Sequence, residues 1–403
     1  MKLLVISSVF PPMRAAEADY TFHLCRSFAE RGLEVDLLTT EHNPTASGLP
    51  FNVYPLMRKW SWSDLPRFAG ILKRSSPDAI LLIFIDYIYR SQPMITFAPT
   101  VAKILLPGIP FVTIFINPIG FSPYKPFDPT RFLRRAVSHW TGQKKVNYRF
   151  GTLLPDSRRV VVLSKRHHDS LAKDYPAVDR KSVLIPPPPT MWISPADGGA
   201  ARQRGREMLG LEESDFLIAF FGYIYPNKGV ETLLKAFQIL SRERSNARLI
   251  LVGGISDLEF PNRPCYAQEV HALSKELGID NNVTWTGEYA WDSEKPSLYL
   301  RAADICVLPF DTGIQMNNSS FAAVAAHELA IITTLGKTLE QPFIDKKNVF
   351  LCPPKSPEAM ASAMKTLMDS PDLRHRLRMG SLQLAEEWFS WQRATERMIG
   401  AFS

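Results

Sequence analysis

Short apolar runs rich in β-branched residues alternate along the first half of the chain with longer stretches whose apolar positions recur at helical spacing. Strands are predicted at Leu3–Val9, Glu34–Thr39, Ala79–Ile85, Phe111–Ile116 and Val160–Leu163, with a weaker one near Asn52–Leu56. Runs that are apolar throughout suit strands covered on both faces, as in a parallel sheet wrapped by crossover helices. A helix from about Glu17 to Arg31 is predicted to stop at Gly32, where a residue without a Cβ is favoured.

The pattern breaks at Pro186-Pro187-Pro188-Pro189, which cannot continue a ladder because proline has no N–H, and Ala196-Asp197-Gly198-Gly199-Ala200 follows. Beyond this boundary the alternation restarts, with strands predicted at Phe216–Phe221, Arg248–Val252, Val283–Thr286, Ile305–Pro309, Ile331–Thr334 and Val349–Leu351. Helices are predicted at Gly229–Arg242, Ala267–Leu277, Ser293–Ala302, Phe321–Leu329 and Pro357–Met368. The expected fold is α/β: two Rossmann-like domains, 1–190 and 191–385, with parallel sheets facing across a cleft, and a C-terminal helix, 386–403, packing back toward the first. Ligands of such sheets bind beyond the carboxyl ends of the strands. Chemistry is therefore sought in the loops after Val9, Ile116, Phe221, Val252, Thr286 and Pro309.

Composition changes this picture little. The longest uninterrupted apolar run, Ala79–Ile85, is far short of the roughly 20 residues a membrane-spanning helix needs. The N-terminus runs straight into a strand pattern without a cleavable leader, so a cytoplasmic protein is expected. Cys25, Cys265, Cys306 and Cys352 are widely spaced, with no CxxC, and read as buried small hydrophobes rather than metal ligands or disulfides. Charge is less even. Against a net +7 for the chain, the segment Arg131–Arg166 holds ten Lys/Arg and one acid, Asp156. Its interleaved aromatic and aliphatic residues suit a solvated outer helix covering the sheet, the plainer reading, or a basic helix resting on anionic lipid at the inner face of a membrane. No nucleic-acid-binding module accompanies the charge.

Several loops could carry chemistry. The loop Phe10–Glu17 leads into a helix whose free N–H groups at Ala15 and Ala16 could receive an anion; without a G-x-G-x-x-G, a nicotinamide dinucleotide is disfavoured. In the segment Phe221–Phe237, Gly222 permits close backbone approach, Lys228 projects at the mouth and Gly229 opens an amphipathic helix. An ammonium beside a helix N-terminus suits a diphosphate, and a solvated turn lysine would look the same. Gly253 and Gly254 leave room for a flat base or ribose, and Glu288 is placed to accept from one or to stand as a loop carboxylate. In the stretch Leu308–Phe321, Ser319 and Ser320 are N-cap candidates that either hold a sugar diphosphate or only cap the helix.

Taken together, Ser7–Pro12 with Phe22–Gly32, Phe221–Phe237 and Leu298–Phe310 resemble the family-four (group 1) retaining glycosyltransferases with the GT-B fold, and the likeness extends to Phe389-Ser390-Trp391. In the closest branch of that family a donor loop with an arginine pair corresponds here to Phe310–Ser320, where Asp311 and Gly313 are kept and the pair has become Asn317-Asn318. The family's paired glutamates fall on Gln315 and Ala323, its arginine after the strand on Tyr223, its first-domain histidine on Phe115 and its Gly-Gly phosphate loop on Ala15-Ala16. The resemblance implies transfer of a hexosyl group from a nucleoside-diphosphate sugar to a saccharide or glycolipid acceptor, with retention and without a metal or other cofactor. It implies Lys228 and Asp311 as catalytic residues. Ala15, Ala16, Gly222, Tyr223, Lys228, Gly254, Glu288, Gly313, Asn317, Ser319 and Ser320 would line the donor, with Arg14 and Asn117 on the acceptor side. The replaced polar residues leave two alternatives open, a catalytically degenerate sugar-nucleotide-binding or partner subunit and, more remotely, a sugar-nucleotide epimerase.

Overall fold

The computed structural model describes residues 1–13, 15–43, 48–119, 139, 149–195, 197–255, 265–290 and 292–403. They form two compact units, Met1–Pro186 with Trp391–Ser403, and Pro187–Ser390.

In the first unit seven strands, β1 (Lys2–Ile6), β2 (Glu34–Thr40), β3 (Asn52–Met57), β4 (Ala79–Phe84), β5 (Phe111–Phe115), β6 (Arg159–Val162) and β7 (Ser182–Leu184), form one parallel sheet in the order β3-β2-β1-β4-β5-β6-β7. Val5 of β1 sits between Leu37 and Leu81. All six residues of β4 are buried, as a strand covered on both faces requires. The helix Ala16–Glu30 ends where predicted: Gly32 takes φ +79°, and the amides of Gly32 and Leu33 close the last turn on Ala29 and Phe28.

Within the predicted C-terminal segment 386–403 the helix is Trp391–Gly400, and residues 386–388 end a separate, earlier helix. Pro371–Trp388 belongs to the second unit, and Trp391–Gly400 packs in the first, where Ser27 and Thr395 share a 2.7 Å hydrogen bond and the Trp391 ring stacks on His23.

The second unit holds β8 (Phe216–Phe221), β9 (Ala247–Val252), β10 (Val283–Trp285), β11 (Ile305–Leu308), β12 (Ala330–Thr334) and β13 (Phe350–Cys352), all parallel, in the order β10-β9-β8-β11-β12-β13. Strand alternation sends Ile218, Phe220, Leu249, Leu251 and Val307 to one face, against Leu233, Leu234 and Phe237 of the helix Val230–Glu243. Ala219, Ile250, Cys306 and Ile331 go to the other, against Phe321 of the helix Ser319–Ala326 and Phe389. In both sheets strand order reverses once, between β1 and β4 and between β8 and β11, which is where open α/β sheets bind ligands.

Just past the predicted boundary, Gly198–Met208 is a helix, and the Asp197 side chain accepts from the amides of Gly199 and Ala200. Cys265 is exposed, unlike the other three cysteines, so its reading as a buried hydrophobe does not hold. Among the described residues no helix is long and apolar enough to cross a membrane.

Candidate functional site

At the reversal point of the second sheet, the loops leaving β8 and β11 meet. Gly222 has φ +131°, and a Cβ there would lie 2.7 Å from Ser320 Oγ and 3.9 Å from Lys228 Nζ. Two residues of one loop and a third nearly a hundred positions on therefore converge on one small space. Asn227 and Gly229, both left-handed, make the turn that aims Lys228, and Gly229 packs directly on the Pro309 carbonyl, leaving no room for a side chain. Lys228 is half-buried, with its ammonium 5.1 Å from the Tyr225 ring and 5.0 Å from the Phe310 ring. Among the described residues it forms no ion pair.

Ser319 and Ser320 are not caps. They are the first two residues of their helix; Asn318 is the N-cap, and its Oδ1 accepts from the Gln315 amide at 2.8 Å instead of capping the turn. The helix is thus uncapped by any side chain, and the Ser319 and Ser320 amides meet no acceptor among the described residues. Free amides at a positive dipole end, beside an ammonium, form an anion site.

The loop 309–318 is tied down along its length. The Asp311 amide donates to Asn227 O (3.1 Å), Ile314 to Thr334 O (2.9 Å) and Met316 to Glu340 Oε2 (2.7 Å), while Thr334 Oγ1 donates to Phe310 O (2.5 Å). Gly313, at φ +85°, lies against Gly336. The Asp311 carboxylate is 3.6 Å from the Lys355 ammonium. Neither Glu340 nor Lys355 was legible in the sequence, because each reaches this loop from a turn after another strand.

On the far side of β8, the two glycines after β9 serve packing. A Cβ on Gly253 would strike Gly222 O and one on Gly254 would strike Glu288, so the vacated space is filled by protein rather than left open to a base. Tyr223 is half-buried in the same loop cluster.

In the first unit, Ala15 is the buried N-cap of the helix Ala16–Glu30, again without a side-chain cap. The second residue of the helix brings a carboxyl to its start: burial raises the pKa of Glu17, outweighing the hydrogen bonds from the Tyr87 hydroxyl and its own amide. An acid in this position opposes an incoming anion. Asn117 is exposed just beyond β5. Arg14 lies outside the described residues, as do Arg131, Arg134, Arg135, Lys144 and Lys145 of the basic segment. Of its remaining cations, Lys165 pairs with Asp169 at 2.9 Å and Arg149 donates to Pro118 O.

Two positions where the resembling family carries polar groups are sealed. The Phe115 ring is fully buried against Phe84 and Phe150, and Ala323 is fully buried in its helix.

Residues 201–381 match the family model of "Glycosyl transferases group 1". Among curated relatives, the D-inositol 3-phosphate glycosyltransferase of Segniliparus rotundus is 27% identical over 262 residues, covering 62% of this chain and 53% of that protein. That of Corynebacterium glutamicum is 28% identical over 232 residues, 56% of this chain and 52% of the relative. The matches span about half the length of those relatives. Among solved structures, sucrose-phosphate synthase from Thermosynechococcus elongatus superposes with a TM-score of 0.70 at 18% identity, covering 100% of this chain and 98% of that one. Anabaena Alr3699/HepE in complex with UDP and glucose gives 0.71 at 14%, covering 99% and 98%. At these identities the likeness establishes a shared fold, GT-B with its two Rossmann-like domains.

Proposed function

We propose that this chain, whose residues 201–381 carry the group 1 glycosyl transferase domain, moves a hexosyl group from a nucleoside-diphosphate sugar to a saccharide or glycolipid acceptor. The observation that carries the reading is the convergence of Gly222, Lys228 and Ser320 before two amides that meet no acceptor among the described residues. Negative charge grows on the diphosphate as the anomeric carbon exchanges its phosphate oxygen for the acceptor oxygen. The Lys228 ammonium and the Ser319 and Ser320 amides are fixed in advance where that charge develops, which is the most effective form of electrostatic catalysis. Retention of anomeric configuration follows from the family resemblance, as does the independence from a metal.

Asp311 and Gly313 shape the loop that would border the sugar, Tyr223 the nucleoside side, and Asn117 the acceptor side. UDP-glucose is the first donor to test, because a structural neighbour is solved with UDP and glucose, and D-inositol 3-phosphate the first acceptor, because the curated relatives are named for it. The chain would work in the cytoplasm, with Arg131–Arg166 resting on anionic lipid; indifference to anionic vesicles in a sedimentation assay would remove that contact.

A second reading, binding without turnover, is favoured by the sealed Phe115 and Ala323. Donor hydrolysis over UDP-, GDP- and ADP-sugars separates the two. A bound nucleotide at 100 times its Kd adds about 2.7 kcal/mol of stability, visible as a thermal shift. Turnover that falls at least about tenfold in Lys228→Ala supports the enzyme. Shift without turnover supports the binding subunit, and no shift with any nucleotide sinks both.

A further inference from the structure

We propose that Glu340 is the positioning residue of the loop that presents Asn317, Ser319 and Ser320, its buried carboxylate fixing the path by which the two serine amides face a diphosphate. The inference rests on the reading of that helix start as a diphosphate site.

Glu340 follows β12, is only 8% exposed, and accepts from the Met316 amide at 2.7 Å. A carboxylate taken out of water is costly unless it is hydrogen bonded, and a neutral carbonyl would satisfy one amide at lower cost. Neighbouring loop amides are met in that cheaper way, Ile314 by the Thr334 carbonyl and Gln315 by the Asn318 side chain. At Met316, two residues before the N-cap, the tie is charge-assisted, the stronger and shorter class of hydrogen bond. The same turn grips the helix as well. The Phe343 amide donates to Glu340 O at 3.1 Å, and the Phe343 ring packs edge-on against Phe321, 5.1 Å between centroids. One short segment after β12 thus holds both the loop and the first turn of the helix it feeds. The Met316 and Ile314 side chains, each about 1% exposed, anchor the loop in the same core cluster as Phe321 and Phe343.

Glu340 acts through the Met316 amide and has no assigned contact with substrate, so its test reads loop order and phosphate recognition separately. Hydrogen exchange across 311–321 and calorimetric titration with UDP and with uridine are compared in the wild-type chain, Glu340→Ala and Glu340→Gln. In Glu340→Ala, exchange of the loop amides rises and UDP affinity falls, each by about tenfold, the scale of one lost charge-assisted hydrogen bond, while uridine binding is unchanged. Glu340→Gln keeps an oxygen acceptor without the charge and recovers part of both. Unchanged exchange overturns the proposal, as does a loosened loop with unchanged UDP affinity, or a parallel loss of UDP and uridine that signals general damage. If Glu340→Ala fails to fold, Glu340→Asp, which keeps the charge and shortens the reach, must loosen the loop and weaken UDP. A wild-type chain that binds neither UDP, GDP nor ADP removes the diphosphate reading and this inference with it. Wild-type binding alongside an indifferent Glu340→Ala removes Glu340 alone.

Discussion

Glycine at 222 answers two demands at once. Its φ of +131° lies where side-chain-bearing residues are strained, and the space a Cβ would take is bounded by Ser320 Oγ and Lys228 Nζ. Gly222→Ala is therefore expected to cost about 1–3 kcal/mol in urea unfolding from backbone strain alone. It should also cost more than about tenfold in diphosphate affinity, because the methyl crowds the Ser320 hydroxyl and the Lys228 ammonium. Calorimetry measures the second effect; an alanine variant that binds UDP as well as wild type would show that the converging groups are not the phosphate site. Residue identity alone underdetermined this cluster. Lys228 and Gly222 stood out in sequence, but Glu340 is 24 positions from the amide it serves, and only the return of the chain after β12 brings it there. Ser319 and Ser320 lie one and two positions inside the helix they are predicted to cap, because it starts at Ser319 after Asn318, whose side chain turns back to Gln315.

The helix Ser319–Ala326 is held at its far end by a hydrogen-bonded chain that no local pattern announces. His327 Nδ1 donates to Ala323 O at 2.7 Å, since a carbonyl only accepts, which leaves Nε2 to accept from the Ser297 hydroxyl at 2.7 Å. The Ser297 oxygen in turn accepts from the Ser194 amide at 2.9 Å. All three side chains are buried. Ser297→Ala strands one buried donor and one buried acceptor, and should lower stability by about 1–3 kcal/mol. Nucleotide affinity should stay close to wild type, because the anion site lies at the opposite end of the helix. A fall in affinity larger than the fall in stability would mean that this chain sets the helix position as well as its strength. At this scale the strands were the most legible elements, because uninterrupted apolar runs such as Ala79–Phe84 fit little else in a parallel sheet. Boundaries near charged or small residues were not: Gly198–Met208 opens with two glycines, and no helix is predicted there although Asp197 caps it.

Each unit also buries a histidine, and that links both to acid. His167 in the first unit and His327 in the second are about 1% and 2% exposed, and burial lowers the pKa of each to about 4, with Arg166 and Arg301 respectively adding to the effect. An unfolded histidine takes its proton near pH 6.5. Between about pH 6.5 and 4 the unfolded chain thus binds protons that the native chain refuses, so the stability these groups contribute is complete above 6.5 and declines as pH falls. The slope approaches about 1.4 kcal/mol per pH unit for each histidine. His23, also lowered to about 4 by burial, adds to the first unit's loss. Glu17 has the opposite sign: its raised pKa means that the unfolded chain ionises first as pH rises, so acid relieves part of its cost and offsets some of that loss. The two sheets should therefore respond unequally, and hydrogen exchange reads them separately. Protection in β8 and β11 should fall between pH 7 and 5, after correction for intrinsic exchange. In His327→Asn, which can still donate and accept but takes no proton, that fall should flatten while β1 and β4 keep the wild-type response. An unaltered slope in β8 and β11 would mean that His327 is not the group the second unit keeps neutral.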